Sequence, residues 1–134
     1  MHYYKIEGDK KGVTIAVLLL GSKPIVRTNY AVKNNLNVKL FGVEFNSWHA
    51  EMRIINLLMR NRYLLNKLKE QNRFIMHVYR YTPTGDYATS SKPCDKCVKV
   101  MKEFKRRYMK NGTFLIHYFE KNALGNVEQK ILVL

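Results

Sequence analysis

Two short stretches of this chain hold residues that can do chemistry together. In the first, Asn46-Ser47-Trp48-His49-Ala50-Glu51, a histidine and a glutamate stand two positions apart at the head of a mostly apolar run, residues 52–60. The second, Ser90-Ser91-Lys92-Pro93-Cys94-Asp95-Lys96-Cys97, contains the chain's 2 cysteines. Burial penalises the charged forms of His and Glu, so placing both against a core-facing surface calls for a reason.

Pro93 suits the first turn of a helix, where its missing N–H would have no partner anyway. Two cysteines three apart in that turn project to one side, and the positive end of the helix favours their thiolates. Such a pair suits zinc; it also suits a redox couple or two buried thiols. His49 supplies a third donor. Two thiolates and one imidazole make the ligand count of a catalytic zinc site, which leaves a fourth position for water; taken alone, His49 reads sooner as a satisfied core histidine. His2, His77 and His117 stand at no finger-like spacing from the cysteines. Glu51 can reach the same site without ligating the metal and carry protons there. Zinc lowers the pKa of its water to about 7, within reach of a carboxylate base. By itself a glutamate in a first turn is also what the helix dipole favours.

In combination, His49-Ala50-Glu51 and Pro93-Cys94-Asp95-Lys96-Cys97 have the form H-x-E with P-C-x-x-C downstream. In that pattern the chain resembles the zinc-dependent cytidine deaminase superfamily. The resemblance is clearest over residues 13 to 119. It implies His49, Cys94 and Cys97 as ligands of Zn2+, Glu51 as the proton shuttle, and hydrolysis at C4 of cytosine with loss of ammonia. It also implies Asn29, in Arg27-Thr28-Asn29-Tyr30, as a ribose contact, and backbone contacts to the base from Ala50 and Ser91. Asn29 has a second reading as an ordinary turn-prone residue. Residues 90–94, with Val78-Tyr79-Arg80-Tyr81-Thr82-Pro83-Thr84-Gly85, are similar to stretches of small phage and viral deaminase-like proteins. The chain departs from the better-known members in having only a short polar segment before the first strand. Its last two strands read as a hairpin, as in the free-nucleoside enzymes, where nucleic-acid-editing members carry a helix.

These stretches must be positioned by elements legible in the hydropathy pattern. Residues 13–20 and 25–30 read as strands around a Gly/Pro turn. Residues 31–46 read as a loop. A helix begins near Ser47, with Ile54, Ile55 and Leu58 at helical spacing, and runs to about Asn61 before a polar tail. Residues 73–81 form a strand. In the helix after Pro93, Val98, Met101, Phe104 and Tyr108 share a face, and Asn111-Gly112 stops it. Residues 113–119 and 127–134 are the last strands. The expectation is one α/β domain over 1–134: a three-layer α/β/α sandwich around a five-stranded mixed sheet, ending in an antiparallel hairpin.

The chain of 134 residues carries 24 Lys and Arg against 10 Asp and Glu, a formal charge of +14. That excess repels itself and suits an anionic partner. Lys99, Lys102, Arg106 and Lys110 lie on one face of the second helix, and Trp48 and Tyr118 either stack on a base or pack in the core. Single-stranded DNA or RNA is the expected substrate. The alternative is free cytidine, deoxycytidine or dCMP, for which one or two cations suffice. A binding module without activity is a third class, against which the complete four-residue signature speaks. Residues 13–20 are too short to cross a bilayer, and the cysteines are too close together to staple a secreted scaffold. The expected location is therefore cytoplasmic, with no membrane partner; nothing in the pattern excludes oligomers.

Overall fold

The computed structural model describes residues 13–29, 38–45, 47–81 and 90–134, the side chains of Val13, Asn29 and Val38 excepted. Strand β1 (Val13–Leu20) pairs antiparallel with β2 (Lys23–Asn29) and with β5 (Arg73–Tyr81); β5 runs parallel to β6 (Thr113–Lys121), which pairs antiparallel with β7 (Val127–Val133). The sheet order is β2-β1-β5-β6-β7, mixed and five-stranded, with the terminal hairpin expected from the short turn at 122–126. A parallel pair needs a long crossover, and α3 (Asp95–Tyr108) supplies it.

Alternation along the strands selects the buried face. Ala16 and Leu18 on β1, Phe74, Met76 and Val78 on β5, and Phe114 and Ile116 on β6 are all solvent-inaccessible. The ring of Phe74 stacks on Phe114 at 4.1 Å and meets Phe104 edge-on at 5.8 Å. Onto this face pack Ile54, Ile55 and Leu58 of α1 (Ala50–Arg60), Leu65 and Leu68 of α2 (Arg62–Gln71), and Val100, Met101 and Phe104 of α3, as one continuous core. Among the described residues the three helices and this face of the sheet share the core, and the mixed five-stranded α/β fold is the one expected.

Two features depart from the pattern reading. Residues 62–71 are a helix and not a polar tail. Asn61 sits in an extended conformation, which ends α1, and its side-chain oxygen accepts from the Leu64 N–H at 3.1 Å, which caps α2. Asn72, left-handed at φ 53°, stops it. Residues 38–45, expected as loop, hold a small hairpin of β3 (Val38–Leu40) and β4 (Val43–Phe45). Its two-residue turn, Phe41-Gly42, has positive φ at both positions, 46° and 78°, the geometry whose twist matches paired strands. Phe45 anchors the hairpin in the core at 1% exposure. Among the described residues no helix is long and apolar enough to cross a membrane.

Because α2 leans on one capping side chain and two buried leucines, Asn61→Ala should lower unfolding free energy by about 1 kcal/mol. Urea denaturation followed by circular dichroism measures this, with the m-value unchanged.

Candidate metal centre

Each of the two signature stretches begins a helix, and in each the residue just before the helix is a ligand candidate. His49 precedes α1 in an extended conformation, and its carbonyl accepts the Arg53 N–H at 3.1 Å. Cys94 precedes α3 in the same conformation, and its sulfur accepts the Cys97 N–H at 3.4 Å. The extended conformation is what an N-terminal cap requires, so the local fold of both segments turns these side chains toward the helix start.

Two hydrogen bonds bring the helix starts to the same place. Thr28 and Val78 are both paired with Ala16 in the sheet. Thr28 Oγ1 donates to the Ala50 carbonyl at 2.6 Å, and the Ser91 hydroxyl donates to the Val78 carbonyl at 2.8 Å. Ser91 is further locked to β6: its N–H donates to the Phe119 carbonyl at 2.9 Å, and the Phe119 N–H donates to its hydroxyl at 2.8 Å. One row across the sheet therefore holds the first turn of α1 and the approach to α3.

There His49 Nδ1 lies 3.7 Å from Cys94 Sγ and 3.3 Å from Cys97 Sγ, and the two sulfurs are 3.2 Å apart. A tetrahedral zinc, with Zn–S of about 2.3 Å and Zn–N of about 2.0 Å, spaces sulfurs by about 3.8 Å and nitrogen from sulfur by about 3.5 Å. The three donors are near those separations, the sulfur pair being the tightest, and they can hold a metal ion. Both cysteines are free thiols. Phe45 meets the His49 ring edge-on at 5.2 Å, which fixes the imidazole from its other side. Lys96 Nζ donates to the Glu44 carbonyl at 3.1 Å and ties the same hairpin to α3.

The electrostatics follow from burial. Among the described residues the buried polar side chains are Glu51, at 4% exposure, and Ser91, at 6%. Burial pushes the Glu51 carboxyl above the ordinary range, and the Cys94 charge adds to the rise. The Cys94 thiol is drawn down to about 4, first by the hydrogen bond from Cys97 and then by His49. Cys97, the donor in that bond and itself buried, is pushed up. His49 is raised by its bond to Cys94. With protein groups alone, one thiolate is thus answered by a thiol proton and an imidazole proton. A divalent cation would take the place of the thiol proton, since both cysteines bind a metal as thiolates.

The remaining expected site residues are distributed as follows. Ala50 is fully buried and its carbonyl serves Thr28. The N–H and hydroxyl of Ser91 serve the sheet. Trp48, half-buried, packs against the core. Tyr118 is half-buried on β6 across from Lys130 of β7. Asn29 ends β2, and its side chain lies outside the described residues. Lys99 and Lys102 are exposed on α3. Arg106 differs from the expectation of a free cation: it and Arg107 both pair with Glu103, whose carboxyl Arg106, then Arg107, holds down at about 2. Thr28, Phe45 and Glu44 were not singled out from sequence; Thr28 and Glu44 act through contacts distant along the chain, and Phe45 meets His49 four residues on. No protein-family model, curated protein or solved structure matches the chain.

The protein should take up one zinc per chain. Metal analysis of the purified protein, with native mass spectrometry for stoichiometry, measures this. Cys97→Ser should lose the metal and the share of thermal stability that zinc confers, read as the difference in Tm with and without chelator.

Proposed function

We propose that the chain is a zinc-dependent hydrolytic deaminase that converts cytosine to uracil, with cytosine in single-stranded nucleic acid as its substrate. The observation that carries this reading is the meeting of His49, Cys94 and Cys97 at two helix starts with a buried glutamate in the first turn beside them. A zinc held there would supply the Lewis acidity that makes water a nucleophile near neutral pH. Glu51 is suited to move the protons. Its raised pKa lets it take one from the attacking water and pass it on to the amine, which leaves as ammonia. The ends of α1 and α3 contribute positive dipole ends on the side where negative charge develops.

The substrate class rests on charge. A net +14 exceeds what one monophosphate needs, and Lys99 and Lys102 are exposed on the helix that starts at Cys94. Deamination of free cytidine, deoxycytidine or dCMP is the second reading. Two observations favour it: the antiparallel β6–β7 hairpin, and the neutralisation of Arg106 by Glu103 within the basic stripe.

Incubating the zinc-loaded protein with single-stranded DNA, single-stranded RNA, duplex, cytidine and dCMP, with products identified by mass spectrometry, tests both readings. Uracil in an oligonucleotide supports the first, and turnover of dCMP or cytidine alone supports the second. No deaminated product from any of them would sink both.

Glu51→Ala should cut turnover by about 10²–10⁴-fold or more while zinc content and the circular dichroism spectrum stay at parental values. Turnover within threefold of the parent would remove Glu51 from the reaction.

For binding to single strands, each neutralised phosphate adds a log–log salt slope of about −0.7, so replacing Lys99 and Lys102 together by Gln should flatten it by roughly 1.4. Adding Arg106→Gln should change it further by much less, because Glu103 already answers that charge. Fluorescence anisotropy across a salt series measures both slopes.

A further inference from the structure

The two outer strands of the sheet finish differently. β2 carries Lys23 and Pro24, and its register against β1 shifts between Leu18 and Leu19. Lysine, proline and bulges are devices that keep an edge from pairing with another chain. β7 has neither proline nor register shift: it is a regular strand of 7 residues, Val-Glu-Gln-Lys-Ile-Leu-Val, whose Lys130 is preceded two residues earlier by Glu128. It exposes Val127 at 40%, Ile131 at 54% and Val133 at 69%. The Leu134 N–H donates to the Phe114 carbonyl of β6. By alternation, Glu128, Lys130 and Leu132 also turn their backbone groups to β6. Those of Val127, Gln129, Ile131 and Val133 then face outward, where among the described residues no strand meets them.

We propose that β7 pairs antiparallel with β7 of a second copy of this chain, about a two-fold axis through Gln129, so that one sheet runs across a dimer. The register follows from charge. Only odd-numbered residues offer outward backbone groups, so the axis falls on a residue and not between two. An axis at Lys130 sets the two Lys130 side chains against each other. An axis at Ile131 sets Lys130 against Leu132. An axis at Gln129 sets Glu128 against Lys130 of the second copy, twice, and Val127 against Ile131, twice. Opposite charges and apolar pairs directly across a ladder stabilise it, and like charges oppose it. Glu128 and Lys130 also form the closer, non-hydrogen-bonded kind of pair. Glu128 is prepared for a second cation: Glu120 lies directly across from it on β6, and within the chain Lys130 Nζ is 3.3 Å from its carboxylate. The contact is self-complementary, as a two-fold interface must be.

The opposing force is the repulsion of two chains of +14 each. This repulsion makes the register testable. Lys130→Glu lowers net charge and so eases the long-range repulsion, yet it sets Glu against Glu across the axis. Sedimentation velocity over a concentration series at physiological salt should show the parent in monomer–dimer exchange. Lys130→Glu and Glu128→Lys should each raise the dissociation constant by about tenfold or more. The double variant, with both changes, restores opposite pairs and should return within about threefold of the parent. Both positions are exposed, and circular dichroism of the variants should match the parent. Residue-resolved hydrogen exchange should find the Gln129 and Ile131 amides protected in the parent and open in Lys130→Glu, with Leu132 protected in both. A parent that stays monomeric at every concentration overturns the proposal. So does a dimer indifferent to both single reversals, or a double variant no tighter than either single one.

Discussion

Three donor atoms that meet within a few ångströms come from segments far apart in the chain, and that constraint organises the half of the fold around them. A helix start is a place where a side chain can be aimed, because the capping residue is extended and its backbone is held by the turn that follows. Using two such starts requires α1 and α3 to begin at one point above one face of the sheet. The parallel β5–β6 pair makes this feasible. Its crossover must leave from the end of β5, and that is where Ser91 is bonded to Val78 and Phe119. β2 runs in the same direction as β5, since both are antiparallel to β1. Its last turn-ward residues therefore reach the same end, and Thr28 there holds the start of α1. In α/β sheets the carboxyl ends of parallel strands are the usual place for a site.

The same convergence explains why a carboxylate can be kept nearly dry. An isolated buried glutamate is costly in its charged form, and the rise in its pKa expresses that cost. Here the cost is shared with a cluster whose own charge state is adjustable. One thiolate sits beside one thiol and one imidazole, and a cation can replace the thiol proton. Ser91, the other buried polar side chain, is fully engaged in hydrogen bonds to the two parallel strands. It makes the approach to Cys94 rigid and does not require a ligand to satisfy it.

How much of this was readable in advance depended on the length scale of the signal. The sheet strands and both main helices each carry a local pattern and form where it suggests, and His49, Cys94 and Cys97 come together. The β3–β4 hairpin did not carry one, because 3 residues per strand show no alternation and its turn is specified by positive φ at Phe41 and Gly42. In α2 the apolar face is only Leu64, Leu65 and Leu68, too short to stand out from the charges around it; Asn61, readable as a stop for α1, is at once the cap of α2. The pairing of Glu103 with Arg106 and Arg107 was legible at helical spacing, but a count of basic residues passes over it. Thr28 and Glu44 act through long-range contacts, which no local pattern contains.

Charge and geometry then separate two surfaces of one molecule. The metal centre opens at the strand ends, beside the start of α3 with its exposed lysines, whereas β7 lies along the side of the sheet. Antiparallel pairing about an axis normal to the sheet keeps the helices of both copies on the same face and reverses the strand direction between them. The two centres would then open at opposite ends of the extended sheet, each unobstructed by the other copy. The pairing would use the β6–β7 hairpin, where Glu120 and Glu128 stand side by side, acids in a chain with few of them. A basic protein that associates with itself needs such a place, where local pairs of opposite sign outweigh a repulsion that salt screens within about 8 Å. Lys99 and Lys102 are exposed on α3, not on that strand.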